Sequence, residues 1–159
     1  MSGATSLEAV LGASVVAMID AYQAVRGPAT RPVRVLGLGW ATVELERAAH
    51  ELARRLPETA PYHEAPADTL LGAACLVGAP VTLAGATADP VRIALLEPTT
   101  EGRLAASLAR RGEGPAVLWL LDGDRPEVPL SRPGDGPFGA ERLVLGGAVD
   151  GPHLLVVAG

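Results

Sequence analysis

At 159 residues with 48% hydrophobic content, the chain is long enough to bury the core of one globular domain and too apolar to be a disordered one. Eighteen acidic against 13 basic residues leave a formal net charge of -5, which argues against nucleic acid because no basic stripe is available to neutralise phosphates. All 13 of those basic residues are arginine, so neither a lysine Schiff base nor a P-loop lysine is possible.

The first element is an apolar stretch, SLEAVLGASVVAMIDAYQAV, over residues 6–25. It lacks a basic leading region and is interrupted by Glu8 and Asp20, so the expectation is neither a signal sequence nor a membrane span. Leu7, Val10, Leu11, Val15, Met18, Ile19, Tyr22 and Val25 recur at helical spacing, and Thr5 with Glu8 forms a capping box, which predicts an amphipathic helix over residues 5–26. A helix of this kind needs a surface to cover.

After a Gly-Pro linker, residues 33–43 read as a strand that is rich in glycine, as expected where another group approaches the backbone closely. Residues 44–56 form a clear helix, with acids in its first turn and arginines in its last. Pro57, Pro61 and Pro66 make residues 57–69 read as loop, and LLGAACLV, VTLAGA and VRIALLE then read as three short strands. The single cysteine, Cys75, falls in the first of these runs and reads as a buried small hydrophobe; with no intrachain disulfide possible, a reducing cytoplasm is the expected setting.

A second short helix, residues 100–111, precedes the strand PAVLWLLD, and GAERLVLGG and PHLLVVAG supply later strands. Between them, residues 123–139 contain four prolines and cannot form a helix like the one at 44–56. The pattern is a βαβββ unit over residues 33–98 followed by a reduced unit over residues 115–159. We expect the N-terminal helix to cover the sheet where the second unit lacks its own.

Two segments carry a family resemblance. LGLGWATVELERA is similar to the opening strand and helix start of vicinal-oxygen-chelate proteins, and IALLEPTTEGRLAASLARRGEG resembles the strand, Glu-Pro, short helix and Gly-Glu-Gly of the methylmalonyl-CoA epimerase type. The resemblance covers roughly residues 33–122. It implies one α+β domain over residues 1–159, in which paired βαβββ modules form a cupped mixed sheet, the second module is reduced and the N-terminal helix is an addition.

Members of that family hold a metal through His, Gln or Glu on inward positions of four strands. The resemblance places those positions at Gly37, at Ala94, at Ala116 or Val117, and at Val156 or Val157, none of which has a donor. His50, His63 and His153 lie elsewhere. No metal and no cofactor is therefore expected, and chemistry that leans on a metal as Lewis acid is disfavoured.

The expected function is a metal-independent isomerase, lyase or cyclase acting in the cup on a small, largely apolar metabolite, which the epimerase resemblance implies could be an acyl thioester or polyketide. His63, Glu64, Asp68, Glu97 and Asp122 are the candidate acids and bases near the rim, although Glu97 could equally cap a helix. Trp40 and Trp119, on the first strands of the two units, are candidate ligand contacts, with Leu38 and Leu95 beside them. A non-catalytic binding protein of the bleomycin-resistance type is the alternative, discriminated by its response to tryptophan rather than carboxylate substitutions. A third reading is a partner protein docking through its first helix. A homodimer is expected by analogy of fold, with neither nucleic acid nor membrane as partner.

Overall fold

The computed structural model describes residues 6–28, 31–87, 89–124, 127–146 and 151–158. Thr5, the expected cap, lies outside them; the N-cap is Ser6, whose hydroxyl accepts from the Ala9 amide at 3.2 Å. Helix α1 (Leu7–Arg26) is followed by strand β1 (Arg34–Ala41), helix α2 (Leu45–Arg55), strands β2 (His63–Asp68), β3 (Ala73–Val77) and β4 (Arg92–Pro98), and helix α3 (Arg103–Arg111). Strands β5 (Gly114–Leu121), β6 (Gly134–Gly136), β7 (Gly139–Leu143) and β8 (His153–Val157) complete the chain.

Two strand expectations are corrected. VTLAGA contributes only an isolated bridge, between Val81 and Val91. The third strand is instead β2, inside the segment read as loop. Its burial is low except at Asp68, so it carries no hydrophobic alternation. As an outermost strand it also tolerates Pro66, which falls in the irregularity of its pairing with β3 between Ala65 and Asp68.

All eight strands form one sheet in the order β2-β3-β4-β1-β5-β8-β7-β6. The first strand of each half runs parallel to its last, β1 with β4 and β5 with β8, and β1 and β5 meet antiparallel at the centre. The sheet curls until its outer strands meet: the Thr69 amide donates to Asp135 O at 2.8 Å, and the Asp135 amide donates to Thr69 Oγ1 at 2.9 Å. The result is a nearly closed cup.

The convex face carries α1 and α2, whereas Leu104 of α3 belongs to the interior cluster on the other side. Leu38, Ile93, Leu95, Leu118, Leu120 and Leu154 pack in one cluster with Leu11, Val15 and Tyr22 of α1 and Leu52 of α2. By length and composition α1 could span a bilayer, with a mean hydropathy of 1.3, but its Leu11, Val15 and Tyr22 are fully buried here. It lies over the second half of the same chain. Tyr22 Oη donates to Asp122 Oδ2 at 2.6 Å, and Arg26 Nη2 donates to Asp122 Oδ1 at 2.8 Å, just past β5. Side chains of both Arg26 and Asp122 are only 1% exposed.

Candidate functional site

The concave face is lined by Ala73, Cys75, Ala94, Leu96, Val117, Trp119, Leu143, Leu155 and Val157. The glycines of β1 explain themselves here. A Cβ at Gly39 would lie 2.6 Å from Val117 Cβ and 2.9 Å from Trp119 Cζ3, and one at Gly37 would collide with the Phe138 ring. Two aromatic rings press on the β1 backbone, Trp119 and Phe138, with centroids 5.1 Å apart and planes at 55°.

Into this apolar interior the fold brings two carboxyl groups, Asp68 from the end of β2 and Glu141 from β7, each 1% exposed. Their oxygens converge over Gly136, where a Cβ would run into Glu141 Oε1 and come within 2.7 Å of Asp68 Oδ2. Trp119 Nε1 donates to Glu141 Oε1 at 3.0 Å and the Leu71 amide donates to Asp68 Oδ1 at 2.9 Å. Asp68 Oδ2 and Glu141 Oε2 are buried with no donor from elsewhere in the described residues. A proton on one of the two carboxyls would give the other a donor.

Burial pushes the Glu141 carboxyl well above the ordinary value, and the hydrogen bond and negative charge of Asp68 push it further. Burial raises Asp68 as well, while hydrogen bonds from Glu141 and the Leu71 backbone pull it down. Two carboxylates this close and this dry cannot both ionise, so the pair holds one proton at neutral pH. The cup thus contains a carboxylic acid beside a carboxylate, the elements of general acid and base catalysis.

The other sequence-predicted residues are dispersed. His63 and Glu64 are exposed on β2 and border a shallow groove of about 670 Å³ beside α2, on the helix side of the sheet. Glu97 Oε1 accepts from the Leu45 amide at 3.0 Å, so it caps α2 and not the helix that follows it in sequence. Asp122 is taken up by Arg26 and Tyr22; burial works to raise its carboxyl, but those two hydrogen bonds hold it below the ordinary value. Trp119 lines the cup, whereas Trp40, Leu38 and Leu95 pack into the helix-side cluster. Cys75 is 4% exposed, and burial pushes its thiol up to about 12. Sequence reasoning named Asp68 as a rim acid but missed Glu141 and Phe138. The available signal for Glu141 was its period-two relation to Leu143 in GAERL, which puts both on the inward face.

No protein-family model matches this chain, and no curated protein matches it. Solved structures do. Methylmalonyl-CoA epimerase from Mycobacterium tuberculosis is 22% identical, with 86% of this chain and 96% of that chain covered at a TM-score of 0.62. A Streptomyces coelicolor methylmalonyl-CoA epimerase in complex with 2-nitronate-propionyl-CoA is 18% identical, covering 79% and 98% at a TM-score of 0.59. This chain has the vicinal-oxygen-chelate fold. A hypothetical protein from Bacillus halodurans shares it at 16% identity and a TM-score of 0.55, covering 79% of this chain and 94% of that one.

Vicinal-oxygen-chelate proteins imply a metal in the cup, and the residues present here do not fit one. Ala94, Val117 and Val157 face the interior without a lone pair to offer, and the Phe138 ring occupies the space a side chain at Gly37 would need. Ala116 lies in the bulge between the Gly39 and Trp40 pairings, and Val156 packs towards the helices. Among the described residues no group of three or more His, Cys, Asp or Glu side chains could hold a metal.

Proposed function

We propose that this chain is a metal-independent isomerase of small, largely apolar metabolites, and that the Asp68–Glu141 pair is its acid and base. Lyase and cyclase reactions that begin with the same proton abstraction belong to the same reading. One observation carries it: two buried carboxyl groups converge in an apolar cup, with Asp68 Oδ2 and Glu141 Oε2 unpartnered and no cation paired with either among the described residues. Structural ion pairs do not look like this, because a purely structural acid would be paired or replaced.

In this reading the ionised carboxylate takes a proton from a carbon next to a carbonyl, and the protonated partner donates a hydrogen bond to the oxygen where negative charge develops. That neutral acid replaces the Lewis acid which the strand positions do not supply. Return of that proton from the same carboxyl to a neighbouring atom of the enolate system, on the same face, completes an isomerisation with no net change in protons. Asp68 and Glu141 are each 1% exposed, so in this reading substrate enters by parting of the edges joined through Thr69 and Asp135. A homodimer remains part of this reading by analogy of fold, and light scattering tests it.

Two of the similar structures are methylmalonyl-CoA epimerases, one of them in complex with 2-nitronate-propionyl-CoA, which makes methylmalonyl-CoA the first probe. The protein is incubated in D2O with chelator and a panel of acyl-CoA thioesters headed by methylmalonyl-CoA, and deuterium at the α-carbon is read by mass spectrometry. Exchange that survives chelation and disappears in Glu141→Gln supports the proposal. Exchange that survives Glu141→Gln and Asp68→Asn, or depends on added metal, refutes it. Binding without exchange in the native protein favours the sequestering alternative.

A further inference from the structure

We infer that the cleft between α3 and the start of β8 is a binding site for the phosphate group of a small organic phosphate. The cleft has a volume of about 410 Å³, and Arg103, Ser107 and Arg110 line it from α3 while His153 lines it from β8. The three α3 residues are spaced i, i+4 and i+7, which places them in one stripe on a single helix face. Arg103, Ser107 and His153 can each donate a hydrogen bond into the cleft, and Arg110, engaged with a partner of its own, adds positive charge.

His153 is the observation that turns a basic cleft into a site. The residue is 8% exposed, and its Nε2 is buried without a hydrogen-bond partner among the described residues. A buried polar atom of this kind is rare unless a ligand or water completes it. Burial, with the positive charges of Arg103, Arg111 and Arg110, pushes the imidazole down to about 4, opposed by a backbone hydrogen bond at Arg103. The same positive field that keeps the ring neutral attracts an oxyanion, and an anion beside Nε2 favours a proton on that nitrogen.

A phosphate suits these donors better than a carboxylate. Guanidinium, hydroxyl and imidazole approach from two elements, and a tetrahedral group can present separate oxygens to each, whereas a carboxylate has two oxygens in one plane. The rest of the ligand would lie against Leu143 and Leu145 on the apolar wall. The site is separate from the acid pair: His153 and Val157, the partner of Glu141, are four residues apart on β8, about 13 Å at the rise of a strand. It stands whether or not the cup is catalytic.

The test uses the intact chain and inorganic phosphate, with acetate as a second arm. Titration is followed by calorimetry and by the ring resonances of His153 in two-dimensional NMR. Saturable phosphate binding that moves the His153 resonances is the expected result. Arg103→Glu, an exposed position, should weaken it about tenfold or more without lowering Tm. Ser107→Ala should weaken it less, and Arg55→Glu on α2 should leave it unchanged. No saturable phosphate binding, equal loss in Arg55→Glu, retention in Arg103→Glu, or acetate binding as tight as phosphate would overturn the assignment.

Discussion

Glu141 is the residue on which most depends, and its role separates from a merely structural one by pH. Its folded value is raised above the ordinary 4.5, so its contribution to stability is complete below that value and is lost as pH rises through the folded one. Glu141→Gln keeps the acceptor for Trp119 and removes the cost of ionisation. The variant should therefore melt higher than the native protein at alkaline pH, by an amount that shrinks towards pH 4.5, while losing proton exchange; calorimetry across pH checks the first half. Gly37 makes a second residue-scale case. Gly37→Ala drives a methyl into the Phe138 ring, and urea denaturation should show a loss of about 1–3 kcal/mol, typical of overpacking.

Among the elements, α1 is attached by a buried ion pair more than by helix propensity. Asp122→Ala leaves the buried Arg26 guanidinium with Asp124 as its remaining carboxylate partner and should cost up to about 3–5 kcal/mol, the range for breaking a buried pair. Deleting residues 1–27 exposes Leu118, Leu120 and Leu154 of the convex face, and the product should aggregate; a soluble product with native melting would contradict the placement of α1. Helix α2 depends on a different device, the Glu97 carboxylate that accepts from the Leu45 amide at its start. Glu97→Ala should cost about 0.5–2 kcal/mol, as loss of a cap does, and leave turnover intact. The helices, β1, β4 and β5 were legible because their apolar residues are dense and periodic. Strand β2 was not, because an exposed edge strand has no buried face to impose alternation on HEAPAD.

Across the whole molecule, two buried groups pull stability in opposite directions on acidification. His153 is pushed below its ordinary 6.5, so its contribution is present above 6.5 and is lost as pH falls towards about 4, while Glu141 gains over part of the same interval. The native protein should show a shallow stability profile between pH 4.5 and 6.5, and Glu141→Gln should steepen its acid side, as thermal melts at several pH values will show. Residue order alone was enough for β1, α2, β3, β4 and α3 in their order and for the prolines that forbid a second module helix, since propensity and spacing are local properties; the family resemblance marked the positions that lack a metal donor. The side of the sheet each residue serves was decided only in three dimensions. Central strands such as RVLGLGWA and GPAVLWLL are buried on both faces, so period-two alternation does not distinguish cup from helix layer. That is why Leu38, Leu95 and Trp40 lie under the helices while Trp119 lines the cup. Curling of the sheet until β2 meets β6 likewise joined Asp68 to Glu141, residues 73 positions apart in the chain that no local pattern could pair.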